Sequence, residues 1–277
     1  MKTLESVTMR QAAKYPEGKA ATDWKLAKGI LAVIEKEDRA ATEEEQRELA
    51  RLVSFTIHTE GDKMEGFNSC STSCKDNAGC AARAKIPGSI CEKCFAQQQL
   101  ARYGSLEDSA TRNSAILRRV VIAPAVWAEV KRFDKAGPNA TATGAFRFES
   151  FGDLDNSAAG VTQAVNYIMI AKAFPRVHFA IWTKAPRILA KAFELVGKPA
   201  NLRAVWSSLY ENRVDAIPED LRKWFDGRFT VWASKAAAAA ARVEINCAKH
   251  CAGCMKCYTG EGWQEIHELE KKAGNEY

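Results

Sequence analysis

Long apolar runs are missing from this chain of 277 residues. No stretch approaches the roughly 18 consecutive apolar residues that a membrane span needs. The start, Met1-Lys2-Thr3-Leu4-Glu5-Ser6, lacks the apolar segment of a secretory leader. Both absences lead to the expectation of a soluble cytoplasmic protein with no membrane partner. An excess of one charge is also lacking. The 40 basic and 34 acidic residues are interspersed, and the net charge of +6 permits an anionic partner without indicating nucleic acid. Histidine is scarce, with four residues, and three of them (His58, His178 and His267) stand away from any cysteine and read as structural. No Gly-x-x-x-x-Gly-Lys-Ser/Thr, Gly-x-Gly-x-x-Gly or Gly-x-Ser-x-Gly pattern occurs, so neither nucleotide-phosphate binding nor serine hydrolysis has a motif behind it.

Cysteine is absent from the whole stretch between Cys94 and Cys247, and this gap makes the two flanking bunches informative. Cys70, Cys74, Cys80, Cys91 and Cys94 form the first; Cys247, Cys251, Cys254 and Cys257 form the second, four thiols within eleven residues. A disulfide framework is opposed by the odd count, the missing leader and the cysteine-free middle. Two consecutive C-x-x-C steps let a short loop turn its sulfurs toward one centre, as thiolate metal sites require. Iron–sulfur is favoured over zinc. The C-x-x-C-x-x-C run is the spacing of ferredoxin ligation, whereas zinc sites more often separate two C-x-x-C knuckles by a dozen or more residues. Cys74, Cys80, Cys91, Cys94, Cys247, Cys251, Cys254 and Cys257 suffice for one or two [4Fe–4S] clusters, with Cys70 left over and zinc as the alternative metal. Adjacency does not decide the sets, because a distant cysteine of a run can ligate the other cube. His250, inside the second bunch, reads as a neighbour of the ligands rather than a ligand.

Residues 1–52 read as helical. Trp24, Ala27, Ile30, Leu31 and Ile34 share one face, and Thr42-Glu43-Glu44-Glu45 is a capping-box start for a second helix. Residues 66–94 read as a polar, cysteine-bearing loop. The middle repeats a pattern of apolar strand, small polar residues and helix. Phe179–Lys184, Ala204–Ser208 and Phe229–Ser234 are its strands, with Trp182, Trp206 and Trp232 spaced 24 and 26 residues apart. Helices are expected over 185–196, about 217–226 and 235–242. An earlier unit begins at Phe146–Asp153 and leads into a helix over about 157–173. Such alternation predicts parallel βα units, whose active sites lie at the C-terminal strand ends. A charge placed directly after a buried strand must find a partner or ligand. Glu149, Asp153 and Lys184 are therefore the candidate catalytic residues, with a mutual salt bridge as the bland alternative. The three tryptophans read as core.

The ordered series Ser71–Cys74, Cys80, Gly88–Ala96, Phe146–Asp153, Ile181–Lys184, Ser207-Ser208 and Asn246–Tyr258 resembles a phage- and prophage-associated iron–sulfur family, and it is also similar to the phage "gene product 88" group. More distantly it is similar to radical SAM proteins. The resemblance implies a TIM-barrel-like body carrying iron–sulfur clusters, in the cytoplasm of a bacterial or phage-infected cell. It implies no particular reaction. The chain departs from the radical SAM loop C-x-x-x-C-x-x-C, because Cys74 is followed by Cys80 rather than by a cysteine three residues on. That spacing counts against SAM as a ligand.

The expected architecture is α/β. A helical extension (1–60) packs on a cysteine-flanked βα barrel (61–260), complete or incomplete, and a C-terminal helix (261–277) follows. The expected activity is redox or sulfur chemistry on a small substrate at the barrel's C-terminal face, with an electron donor as partner. A radical SAM-type enzyme, an electron-transfer protein and a zinc-bearing nucleic-acid-binding protein are the alternatives.

Overall fold

The structure, a computed structural model, describes residues 19–57, 67–102, 104–130, 144–247 and 250–270. Two helices open it, α1 (Lys19–Glu37) and α2 (Glu43–Leu52). Ala27 and Leu31 of α1 are buried, and Trp24, Ile30 and Ile34 pack beside them, the face that their spacing predicts. The α2 capping box is present: Glu45 N donates to Thr42 Oγ1 at 3.3 Å, and Thr42 N donates to Glu45 Oε2 at 2.8 Å. His58 and residues 1–18 lie outside the described residues.

One sheet of seven strands follows, in the order β1-β2-β3-β4-β5-β6-β7. Strand β1 (Thr56–Ile57) is antiparallel to β2 (Asn68–Cys70). From β2 onward every pairing is parallel, through β3 (Ala145–Phe148), β4 (His178–Thr183), β5 (Leu202–Ser207), β6 (Gly227–Trp232) and β7 (Gln264–Leu269). Between β2 and β3 lie α3 (Ala78–Ala84), α4 (Phe95–Arg102), α5 (Gly104–Leu117) and α6 (Pro124–Ala128). Helices α7 (Ala158–Ala173), α8 (Pro186–Val196), α9 (Glu219–Arg222) and α10 (Lys235–Ala240) then alternate with the strands, as expected, although α9 is a single turn. Pro186 at the start of α8 suits a first turn whose N–H groups have no helical acceptor. The fold class is α/β, as the alternation predicts.

Successive side chains of a strand point to opposite faces, and the two faces here bury different things. Phe146, Phe148, Phe179 and Ile181 face the helices, where Tyr167 of α7 stacks on Phe148 with ring centroids 4.3 Å apart. Ala145 and Ala180 face the other way, into a cluster with Phe67, Trp182 and Tyr258. That second face is covered by two single-turn helices, α11 (Cys251–Cys254) and α12 (Lys256–Thr259).

The C-terminal helix expected over 261–277 is corrected by the structure. Gln264–Leu269 is strand β7, paired residue for residue with β6, and 271–277 lie outside the described residues. The Glu- and Leu-bearing segment favours helix locally. Strand β6 offers an edge of unpaired backbone groups, and this tertiary demand prevails over local propensity. Among the described residues, no helix is long and apolar enough to cross a membrane.

Candidate functional site

The loop after β2, the first of the parallel strands, carries Cys74, and α3 carries Cys80 in its first turn. Asn77 fixes that helix start: its Oδ1 accepts from Cys80 N at 2.8 Å, while its Nδ2 donates to Asp153 O at 2.7 Å. The loop then runs to the β5 end, where Ile90 N donates to Leu209 O at 3.0 Å. Cys94 directly precedes α4, and the backbone N–H groups of Ala96 and Gln97 donate to its sulfur. Cys74 shares hydrogen bonds with the thiols of Cys80 and Cys94. These contacts set the acidities. Hydrogen bonding from Cys74 lowers Cys94 to about 6, helped by the two N–H groups and Lys184. Cys74 is pushed far up by the same thiol contacts and by burial. Burial raises Cys91, with Lys184 and Arg83 pulling the other way. The structure thus brings Cys74, Cys80, Cys91 and Cys94 together and sets two cations beside them.

Arg83 is a residue that sequence reasoning missed. Its only signal is a position three residues after Cys80, hence the same helix face. Its Nη2 lies 3.5 Å from Cys80 Sγ and 3.1 Å from Asp153 Oδ2. Its Nε is buried with no hydrogen-bond partner among the described residues. Asp153 is saturated: Thr183 Oγ1 donates to it at 2.6 Å, Leu154 N at 2.8 Å and Lys184 N at 2.9 Å, besides Arg83. The mutual salt bridge of Glu149 and Lys184, the bland alternative, is not formed: Glu149 turns to Thr72, Gln163 and Tyr167, and Lys184 meets Asp153 through its backbone N–H.

Glu149 follows β3 with φ +53°, and its carboxylate is enclosed. Thr72 donates through N (3.2 Å) and Oγ1 (3.0 Å), Gln163 through Nε2 (2.7 Å), and Tyr167 through its hydroxyl. Burial pushes the carboxyl up to about 7, against these donors and Arg118. Glu149 therefore faces α7 and the Thr72 backbone, away from solvent. Gly152, with φ +88°, closes the turn; a Cβ there would stand 2.6 Å from Thr72 O, 2.8 Å from Glu149 Oε2 and 3.5 Å from Cys74 Sγ.

The second bunch keeps its own company. The thiols acting on Cys257 are Cys251, Cys247 and Cys254, and burial pushes Cys257 up to about 12. Cys251 and Cys257 pack in the second-face cluster, whereas Cys254 is exposed. His250 accepts from Gly253 N at 3.0 Å and so caps α11. Met255, at φ +54°, reverses the chain between α11 and α12. Cys247 Sγ lies 3.5 Å from Glu268 Oε2. Cys70, the ninth thiol, is fully buried, with Asn113 Nδ2 at 3.6 Å, apart from both sets. Among the described residues, no three His, Cys, Asp or Glu side chains are arranged to hold a single metal ion.

A family model described as gene product 88 matches residues 24–275. The chain belongs to the gene product 88 family. That assignment agrees with the resemblance carried by the cysteine and strand-end motifs, and its match spans both thiol bunches and all seven strands. No curated protein and no solved structure matches the chain. The family name carries no chemistry of its own, so the site has to be read from its side chains.

Proposed function

We propose that this gene product 88 protein is an iron–sulfur redox or sulfur-chemistry enzyme, with one [4Fe–4S] cluster held by Cys74, Cys80, Cys91 and Cys94. The observation that carries the reading is the convergence of those four thiols, at parallel-strand ends, with Arg83 and Lys184. A thiolate-held cube is anionic, so adjacent cations favour it. The buried Arg83 Nε, lacking an acceptor among the described residues, suits a hydrogen bond to a cluster sulfur. A bound cluster would supply one-electron chemistry, and a small substrate would meet it at the strand ends.

The chain's own residues divide the remaining work. Asp153, with its oxygens fully engaged, orients Arg83 and holds the β4 end. Glu149 braces the turn beneath Cys74 from inside. Lys184 has its charge near Cys91 and Cys94, which makes it the anchor for an anionic or zwitterionic substrate group. The six parallel strands run in chain order, the order in which successive βα units curl into a barrel. We read the body as a complete or partial TIM-like barrel on that ground.

Anaerobically purified protein should be brown and carry iron with matching acid-labile sulfide. Lys184→Met should abolish substrate binding or turnover while iron content and melting temperature stay near wild type. A colourless, folded protein with one zinc per chain would refute the cluster; parallel loss of iron and stability in Lys184→Met would remove Lys184 from the substrate site.

A further inference from the structure

We infer that Cys247, Cys251, Cys254 and Cys257 hold a second iron–sulfur centre, separate from the N-terminal one, with the Tyr258 hydroxyl donating a hydrogen bond to it. This rests on the reading of the chain as an iron–sulfur protein, and three observations carry the separate site.

The first is grouping. The thiols acting on Cys257 all come from its own bunch, and those acting on Cys74 and Cys91 all come from theirs. The second is the backbone. Helix α11 is one turn, Met255 reverses the chain in the left-handed region, and Met255 N donates to Cys251 O at 2.8 Å. The reversal turns Cys257 and Tyr258 back toward Cys251, and Cys251, Met255 and Cys257 pack in one cluster with Tyr258. The third observation is Tyr258 itself. Its ring is wedged between Phe67 (centroids 4.8 Å apart) and Trp182 (5.7 Å), and the residue is 3% exposed. Its hydroxyl feels the charges of Cys251, Cys257 and Arg147, yet has no hydrogen-bond partner among the described residues. A buried donor without an acceptor is rare in a folded protein, and a cluster sulfur between those cysteines supplies one. Arg147, stacked on Trp182 at 4.2 Å, adds positive charge on the same side. Ligation releases one proton from each thiol, and Glu268 lies within reach of the one on Cys247.

Iron and sulfide are counted on the full chain purified anaerobically, with electron paramagnetic resonance of the reduced protein. Wild type should hold about eight of each, the content of two cubes. Cys254→Ser, at the exposed ligand, should lose about half of the iron and one resonance signal. Cys91→Ser should lose the other half and the other signal. Tyr258→Phe should keep all iron and lower the midpoint potential of one centre, the one lost in Cys254→Ser, because a hydrogen bond to cluster sulfur stabilises the reduced form. Full iron retention in Cys254→Ser, combined with no shift in Tyr258→Phe, would overturn the second centre and leave the proposed N-terminal cluster standing. Loss of all iron in both cysteine variants would show one shared centre and overturn the separation. Zinc in place of the second half of the iron would refute it as well. Full iron retention in Cys91→Ser would instead sink the N-terminal reading.

Discussion

Glu149 combines left-handed backbone with a carboxyl that burial pushes up to about 7, and the direction of its effect on stability follows. Its folded value lies above the ordinary carboxyl value of about 4.5, so the native state holds the proton more tightly than the unfolded one. The stabilisation is fully present below about 4.5 and is lost as the pH rises through 7. At about 1.4 kcal/mol per unit, the loss is at most roughly 3 kcal/mol. Melting curves taken between those limits should show wild type weakening with rising pH and Glu149→Gln nearly level in that window. Glu149→Ala removes the acceptor of Thr72 N, Thr72 Oγ1 and the Tyr167 hydroxyl in a buried site, and a loss of more than about 3 kcal/mol is expected from chemical denaturation. Asp153 carries a different risk, since its removal strands the buried Arg83. Asp153→Ala should cost about 3–5 kcal/mol and lower the iron content, whereas Lys184→Met should do neither.

At the scale of elements, the turn after β3 and the loop after β2 are built against each other. Ser71 Oγ lies 2.9 Å from Ser150 Oγ and accepts from Phe151 N at 3.1 Å, and Gly152 packs too close to Thr72 O and Glu149 Oε2 to admit a side chain. Gly152→Ala combines a disfavoured φ with an approach of 2.6 Å to Thr72 O. A cost of about 1–3 kcal/mol is expected from the backbone conformation alone. Iron content should fall with it, measured beside the melting temperature. The strands β4, β5 and β6 and the helices α7, α8 and α10 were legible in the sequence, because each apolar run is bounded by small polar residues and followed by a helical period. Strand β2 was not: three residues inside a cysteine-rich segment leave no periodicity to read. Strand β7 was read as helix because its pairing with β6 is a tertiary fact. The cysteines and strand-end charges announced a site. Arg83 and Tyr258 did not, since an arginine on a short helix and a tyrosine after a cysteine look like ordinary surface and core. The enclosure of Glu149 depends on Gln163 and Tyr167, four residues apart on a helix whose buried face is not marked by polarity.

For the whole molecule, the C-terminal segment acts as a wall rather than a tail. Strand β7 covers the edge of β6, and Tyr258 fills the second sheet face against Phe67 and Ala180. A chain ending at Val243 should expose both surfaces and be recovered as aggregate, or melt far below the full chain, with iron lost from the N-terminal thiols too. A soluble, iron-replete fragment of that length would show instead that the two ends of the molecule are independent.

The strand order also bears on synthesis. Because neighbours in the sheet are neighbours in the chain, each parallel strand can dock on the one made before it, and Arg83, Asp153 and Lys184 are all translated well before the last strand. The N-terminal thiols can therefore find their cations on the nascent chain, while the C-terminal thiols are still unmade. Cys247 to Cys257 and β7 are made after every other described strand of the sheet. Any loading of that second bunch then follows the making of strands β2 to β6, and a maturation factor for it would meet a sheet already assembled.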